Sequence, residues 1–296
     1  MENHSLHPTV FPSFDHTVIH RVFEGVDVSE TTRLQYRRSV VPFIQWVGRR
    51  SLHDNILLDW KRHLQSRTDI GTGTKNKYLT VSRVFLRELN RKGILPSLNQ
   101  EIRTFRVTKV HKRLPLTDDD VQRVLTHLDG DSIDPRTRVI VGLMYFQGLR
   151  RIEISRLSVD DFGVEDQTLL VWGKGRDDKE LVDLHPRMVS ILLTYLKEQN
   201  LKSGSPLFPS IRNGQVGFLS SNMIWRLVTS VHRELGINKN LHSYRKVFTS
   251  KLIDSGLNLL EVRQYTRHRD ITQLQIYYDR LDKRRTLSTY YETFGN

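Results

Sequence analysis

The sequence predicts a mainly α-helical protein with one small β-sheet, divided into an N-terminal helical domain and a larger α+β C-terminal domain. Three observations lead there. The chain has 296 residues, long enough for two ordinary cores. Apolar residues recur at helical spacing over most of it, and paired β-rich runs occur in one place. The charge balance changes abruptly near residue 113: residues 1–113 carry 20 basic and 10 acidic side chains, residues 114–296 carry 26 and 23.

Hydrophobic residues make up 38% and charged residues 27%, so the chain has the apolar mass to fold and is not a disordered polyelectrolyte. The absence of cysteine excludes a disulfide framework, a thiolate nucleophile, Cys-ligated zinc and an iron–sulfur cluster. No apolar run approaches the roughly 18 residues that span a bilayer, and the first thirty residues lack a basic start followed by an apolar stretch. The expectation is a cytoplasmic protein with no membrane partner. The formal net charge is +13, which attracts polyanions and makes nucleic acid the leading partner.

In the N-terminal domain, Thr31 and Thr32 precede Leu34, Val41, Phe43, Ile44, Trp46 and Val47, close to helical spacing, with Arg33, Arg37 and Arg38 mostly on the other face. A second helix is expected over Asn55–Gln65 and a third over Thr74–Arg91, where Lys75, Lys77 and Arg83 gather toward the end whose dipole favours phosphate. Arg103 to Arg113 is a basic, β-branched stretch without a helical stripe, ending before Leu114-Pro115, and reads as a linker whose Lys112 and Arg113 meet DNA. Thr117 followed by three aspartates then opens a new helix with an N-cap and first-turn acids.

Within the C-terminal domain, Thr168–Trp172 and Lys179–Leu184 flank a polar, Gly-containing turn and predict a hairpin with Lys174 at its tip. Helical patterns follow over Met188–Glu198, Ser221–Leu235, Ser243–Asp254 and Leu259–Thr266, with Lys202–Pro209 expected as loop. Among these elements lie Arg150-Arg151, Lys174, His242, Arg245, His268 and the pair Tyr277-Tyr278, a set of cations, imidazoles and phenols with no carboxylate cluster to hold magnesium. Such a set suits metal-free phosphoryl transfer: two guanidiniums clamp the non-bridging oxygens of a phosphodiester, and a tyrosine attacks it. Taken singly, each residue also has a plain structural use as a surface arginine, a core histidine or a packing tyrosine.

Their joint order and spacing carry a resemblance. Gly148-Leu149-Arg150-x-x-Glu153 with Leu157-Ser158-x-x-Asp161, then Trp172-Gly173-Lys174-Gly175, Leu241-His242-x-x-Arg245, His268-Arg269-Asp270-Ile271 and Gln275-Ile276-Tyr277 resemble, in order, the boxes of the tyrosine recombinase family, the phage-integrase and Xer-like site-specific recombinases. The separations are 24 residues from Arg150 to Lys174, 23 from Arg245 to His268 and nine from His268 to Tyr277. The chain departs from the family's pattern at Arg267, where glycine is usual, and at Lys246, where histidine is common.

The resemblance implies an N-terminal extension (1–27), a SAM-like helical core-binding domain (28–102), a basic linker (103–116), a catalytic domain (117–280) and a tail (281–296) that docks on a neighbouring protomer. It implies that the two domains clamp duplex DNA, with Arg37, Lys75, Lys77, Arg83, Lys112 and Arg113 as candidate contacts. Arg150 and Arg245 would clamp the scissile phosphate, Tyr277 would form a 3′-phosphotyrosine, Lys174 would protonate the leaving 5′-oxygen, His242 would assist proton transfer and His268 would bond a phosphate oxygen. Tyr278 is the competing nucleophile. Glu153 and Asp161 would orient arginines or the fold. No cofactor or metal is expected. The partners implied are double-stranded recombination sites and a homotetramer on synapsed DNA, monomer or weak dimer when free, with room for accessory DNA-bending proteins and a nucleoid location. A type IB topoisomerase and a non-catalytic DNA-binding regulator are the competing readings.

Overall fold

In the computed structural model the described residues are 14, 16–48, 50, 53–98, 101–107, 115–173, 178–268, 270–275, 277, 287 and 290–293. The chain divides into two compact units, Met1–Thr108 and Lys109–Asn296.

The first unit is a helical bundle of α1 (His16–Glu24), α2 (Glu30–Val47), α3 (Ile56–Ser66) and α4 (Thr72–Arg91). Its core forms from one face of each helix: Val22 and Phe23 on α1, Val40, Phe43 and Val47 on α2, Trp60 and Leu64 on α3, Leu79, Phe85 and Leu89 on α4. Aromatic rings tie the helices together, with Phe43 and Trp60 at 5.6 Å and Phe23 and Phe85 at 5.7 Å between centroids. The bundle starts earlier than residue 28, because Ile19, Val22 and Phe23 give α1 an apolar stripe that packs against α2 and α4. The start of α2 is set by Ser29, whose side chain accepts from Thr32 N, and not by the threonines. The stretch after the bundle is also tied down: Asn76 donates to Phe105 O at 2.9 Å and accepts from Phe105 N at 2.7 Å, and Arg83 bonds Ile102 O. The beginning of the expected linker is therefore zipped onto α4.

The second unit opens with α5 (Asp118–Asp129), where Thr117 and Asp120 form a reciprocal capping box. Its centre is α6 (Pro135–Phe146), buried along nearly its whole length through Val139, Ile140, Val141, Leu143 and Met144. A helix apolar on every side shows no stripe in the sequence, which is why periodicity passes over it. The short α7 (Arg151–Ile154) and a 3₁₀ turn (Val159–Asp161) lead into an antiparallel sheet of β1 (Phe162–Gly163), β2 (Thr168–Trp172) and β3 (Lys179–Asp183). Trp172 pairs with Lys179 across β2 and β3; Lys174, expected at the hairpin tip, is among residues 174–177, which lie outside the described set. There follow α8 (Pro186–Glu198), the hairpin β4 (Pro209–Arg212) and β5 (Gln215–Phe218), α9 (Ser221–Glu234), α10 (His242–Asp254) and α11 (Leu259–Thr266).

The β4–β5 hairpin corrects the expectation of a single hairpin. Arg212 pairs with Gln215 around Asn213-Gly214, both at positive φ (51° and 75°), the two-residue turn that Asn-Gly favours. No helix among the described residues is long and apolar enough to cross a membrane. Phe85→Ala is expected to cost about 3–5 kcal/mol in the first unit, since the ring has no exposed surface and packs against Phe23 of α1; the midpoint of urea unfolding measures it.

Candidate active site

The site is assembled where the loop after α6, the start of α7, the inner face of α10 and the end of α11 meet. Gly148 makes the first turn possible. Its φ is +59°, and a Cβ there would stand 2.4 Å from the Phe248 ring. Only glycine combines that conformation with that approach. The Gly148 carbonyl accepts from Arg245 Nη1 at 2.7 Å, and Thr266 O accepts from Nη2. Arg245, on α10, is 2% exposed, and its guanidinium is thus fixed by two backbone carbonyls, one from the loop after α6 and one from the end of α11.

Arg150 precedes α7 in an extended conformation. Glu153, fully buried, folds back to it: Oε2 accepts from Arg150 N at 2.8 Å and Oε1 from Arg150 Nη1 at 2.6 Å. A second arginine reaches the same carboxylate from α11, Arg267 Nη2 to Glu153 Oε2 at 3.1 Å. Burial pushes the Glu153 pKa up, but Arg267, Arg150, the Arg150 N–H and Arg245 outweigh it and hold the group below its ordinary value. The cluster contains three guanidiniums and one carboxylate. Burial first, then Arg150 and Arg267, push Arg245 down to about 9, still cationic at neutral pH. An uncompensated positive charge in a desolvated place is a binding site for an anion.

Next to it stands His268, with Nδ1 at 2.7 Å from Thr266 Oγ1. That hydroxyl donates to Val262 O at 2.7 Å, so it accepts from Nδ1–H and leaves Nε2 as the free lone pair of a neutral ring. Burial, followed by the charges of Arg245 and Arg150, pushes His268 down to about 3. Arg263 Nε donates to His268 O at 3.2 Å. His242, exposed at the start of α10, has its N–H on Asn240 Oδ1 at 3.0 Å and lies within electrostatic reach of His268.

Tyr277 packs against Ile253, Val262 and Leu274 and is 9% exposed. Burial raises its pKa and Arg245 opposes the rise, so the phenol is protonated at neutral pH. Arg150, His242, Arg245, His268 and Tyr277 are thus brought to one region; Lys174 and the competing Tyr278 lie outside the described residues. Asp161 accepts from Ser158 N at 2.8 Å and pairs with Lys179, holding the root of the β2–β3 hairpin. Among the described residues no group of three or more His, Asp or Glu stands together as a metal site.

The basic residues of the first unit are placed unequally. Arg37 pairs with Glu30 at 3.4 Å, and Arg83 holds Ile102 O. Lys75 donates to Gln65 O at 3.2 Å, and Lys77 lies 5.4 Å from the Tyr78 ring centroid. Both lysines sit near the start of α4, whose N-cap is Gly71 without a side-chain cap and whose first turn carries no acid. Lys112 and Arg113 lie outside the described residues. Arg267, read from the sequence as a departure, is the site residue that spacing does not reveal: its partner Glu153 is 114 positions away.

This geometry gathers three arginines, two imidazoles and a phenol around one carboxylate, and comparison with known proteins gives the chain a family. Residues 115–284 match the model of the phage integrase family. Tyrosine recombinase XerD of Pseudomonas putida is 29% identical over 290 residues, covering 90% of this chain and 93% of that protein. Tyrosine recombinase XerA of Pyrococcus furiosus is 30% identical over 184 residues, 61% of this chain and 63% of that one. Among solved structures, a post-cleavage complex of the XerH site-specific recombinase with a palindromic difH substrate shares the fold at a TM-score of 0.70 and 17% identity, over 93% of this chain and 85% of that one. The chain belongs to the phage integrase family. It is a site-specific DNA recombinase of the tyrosine type.

Two measurements follow from the site. Gly148→Ala is expected to destabilise the second unit by about 2–4 kcal/mol through left-handed strain and overlap with Phe248, read from urea midpoints. His268 has a folded pKa depressed to about 3 against 6.5 for the free side chain, so its contribution is complete above about pH 6.5 and is lost as pH falls through that window toward 3. The stability of His268→Gln should therefore fall less steeply than wild type between pH 6.5 and 4.

Proposed function

We propose that the recombinase cuts and rejoins double-stranded DNA through a covalent 3′-phosphotyrosine formed on Tyr277. The observation that carries this reading is the group of half-buried Arg150 and buried Arg245 and Arg267 around the carboxylate of Glu153, beside a buried tyrosine. Two more positive than negative charges suit a phosphodiester whose negative charge grows in the pentacoordinate transition state.

Arg150 and Arg245 clamp the non-bridging oxygens. Tyr277 Oη attacks phosphorus, its proton passing to the His242 side, while the bond from phosphorus to O5′ breaks and Lys174 protonates the departing oxygen. The products are a 3′-phosphotyrosyl strand and a free 5′-hydroxyl; attack by a 5′-hydroxyl reverses the step, so rejoining needs neither ATP nor metal. For His268 to donate to a phosphate oxygen through Nε2, either the Thr266 hydroxyl turns its proton from Val262 O to Nδ1, or the bound anion raises the ring's proton affinity until both nitrogens carry protons.

The first unit supplies phosphate contacts, with Lys75 and Lys77 at the uncapped start of α4 the best supported and Arg37, Arg83, Lys112 and Arg113 secondary. Catalysis on two sites calls for four copies of the chain on synapsed DNA, in the cytoplasm with the nucleoid.

The test is incubation with supercoiled plasmid carrying the DNA that flanks the gene, with chelator and without ATP, followed by a detergent quench. Wild type should give a covalent protein–DNA adduct and Tyr277→Phe none, with DNA binding retained. An adduct that survives in Tyr277→Phe and disappears in Tyr278→Phe would move the nucleophile to Tyr278. DNA affinity should fall steeply with salt in both proteins.

A further inference from the structure

Arg267 ends α11 at φ 53° and ψ 41°, the left-handed conformation that glycine adopts without strain and that a long side chain rarely takes. The side chain is 5% exposed, and its guanidinium is spent on Glu153 Oε2 and, at 3.2 Å, on Tyr265 O. Burial lowers its pKa, with Glu153 the main opposing influence. An arginine held in an unfavourable conformation, desolvated and aimed at one carboxylate, has its use in what it does to that carboxylate.

Glu153 has two oxygens to give. Oε1 takes Arg150 Nη1, and Oε2 takes Arg150 N together with Arg267 Nη2. With Oε2 free of Arg267, the Arg150 guanidinium could turn and engage both oxygens in the forked pairing that arginine and carboxylate favour, which would draw its remaining N–H groups away from a phosphate. With Arg267 in place, Arg150 is limited to one side-chain bond and keeps the rest of its fork for the substrate. Arg267 also offsets the Glu153 charge, leaving the charges of Arg150 and Arg245 for the anion.

We propose that Arg267 is a positioning residue for strand cleavage: it occupies Glu153 Oε2 so that Arg150 presents its free guanidinium edge to the scissile phosphate. The inference rests on the strand-transfer reading above and is specific to a chain with arginine at this left-handed cap.

The test compares wild type, Arg267→Gln and Arg267→Lys in single-turnover cleavage at saturating protein, using the flanking-DNA substrate, with the dissociation constant for the same DNA measured by gel shift. The glutamine variant is expected to cleave at least tenfold more slowly with DNA affinity within threefold of wild type. Lysine, which keeps the charge on Glu153, is expected to recover cleavage to within threefold. A merely structural role would slow both variants alike, in step with their melting temperatures. Cleavage by Arg267→Gln at the wild-type rate, or equal loss in both variants, would overturn the inference and leave strand transfer standing. No adduct from wild type, with DNA binding intact, would overturn the strand-transfer reading and this inference with it.

Discussion

Glu153 is a carboxylate with no exposed surface, and a charge so placed persists only when cations and N–H groups surround it. It meets that requirement by drawing together Arg150, which begins α7, and Arg267, which ends α11. Arg245 enters the same space from α10 and ties the Gly148 loop to the end of α11 through two carbonyls. Three segments separated in sequence, residues 148–153, Arg245 on α10 and residues 266–267, are thereby fixed around one anion. Removing that anion would leave two buried guanidiniums and the half-buried one of Arg150 to repel one another, so the fold around the site and the charge balance of the site are a single problem.

The surrounding hydrophobic structure explains why the cluster can be this dry. Helix α6 passes through the centre of the second unit and delivers the chain to Gly148 from a fully apolar environment. On the other side, Ile253, Val262, Leu274 and Tyr277 form a separate small core that joins α10, α11 and the segment after them. Desolvation has opposite effects on the groups it encloses: it weakens the hold of Arg245 and His268 on their protons and strengthens that of Tyr277. The result is a neutral imidazole and a neutral phenol beside intact cations. A phenol in that state does not form a resting ion pair with the arginines, which keeps them available to a phosphate.

How much of this was legible in the sequence depended on the kind of signal each element carries. The β2–β3 hairpin and the helices α5, α8 and α9 show themselves through alternation, capping and stripes, and the fold class is a mainly helical chain with small sheets as the periodicity predicts. Helix α6 escaped because it is buried on all sides and has no polar face to set a period. The β4–β5 hairpin did carry its signal, Asn213-Gly214, but its strands are four residues each, and several of their apolar side chains face solvent. At the site, the motif order pointed to Arg150, His242, Arg245, His268 and Tyr277. Arg267 looked like an anomaly because its meaning depends on a contact between the end of α11 and Glu153 of α7, 114 residues apart, and local spacing carries no trace of such a contact.

One consequence of how Arg245 is held concerns the freedom of the chain to change. Its guanidinium is anchored by main-chain oxygens of residues 148 and 266, and a carbonyl is the same group whatever side chain its residue bears. At position 148 the demand is for a conformation and for room beside the Phe248 ring, both of which glycine meets. Selection on such an anchor acts on backbone path and leaves most side-chain identities in the adjoining loops open to drift. Anchoring of this kind lets a backbone path outlast the wording of the sequence around it, in keeping with a fold shared at a TM-score of 0.70 when only 17% of residues agree.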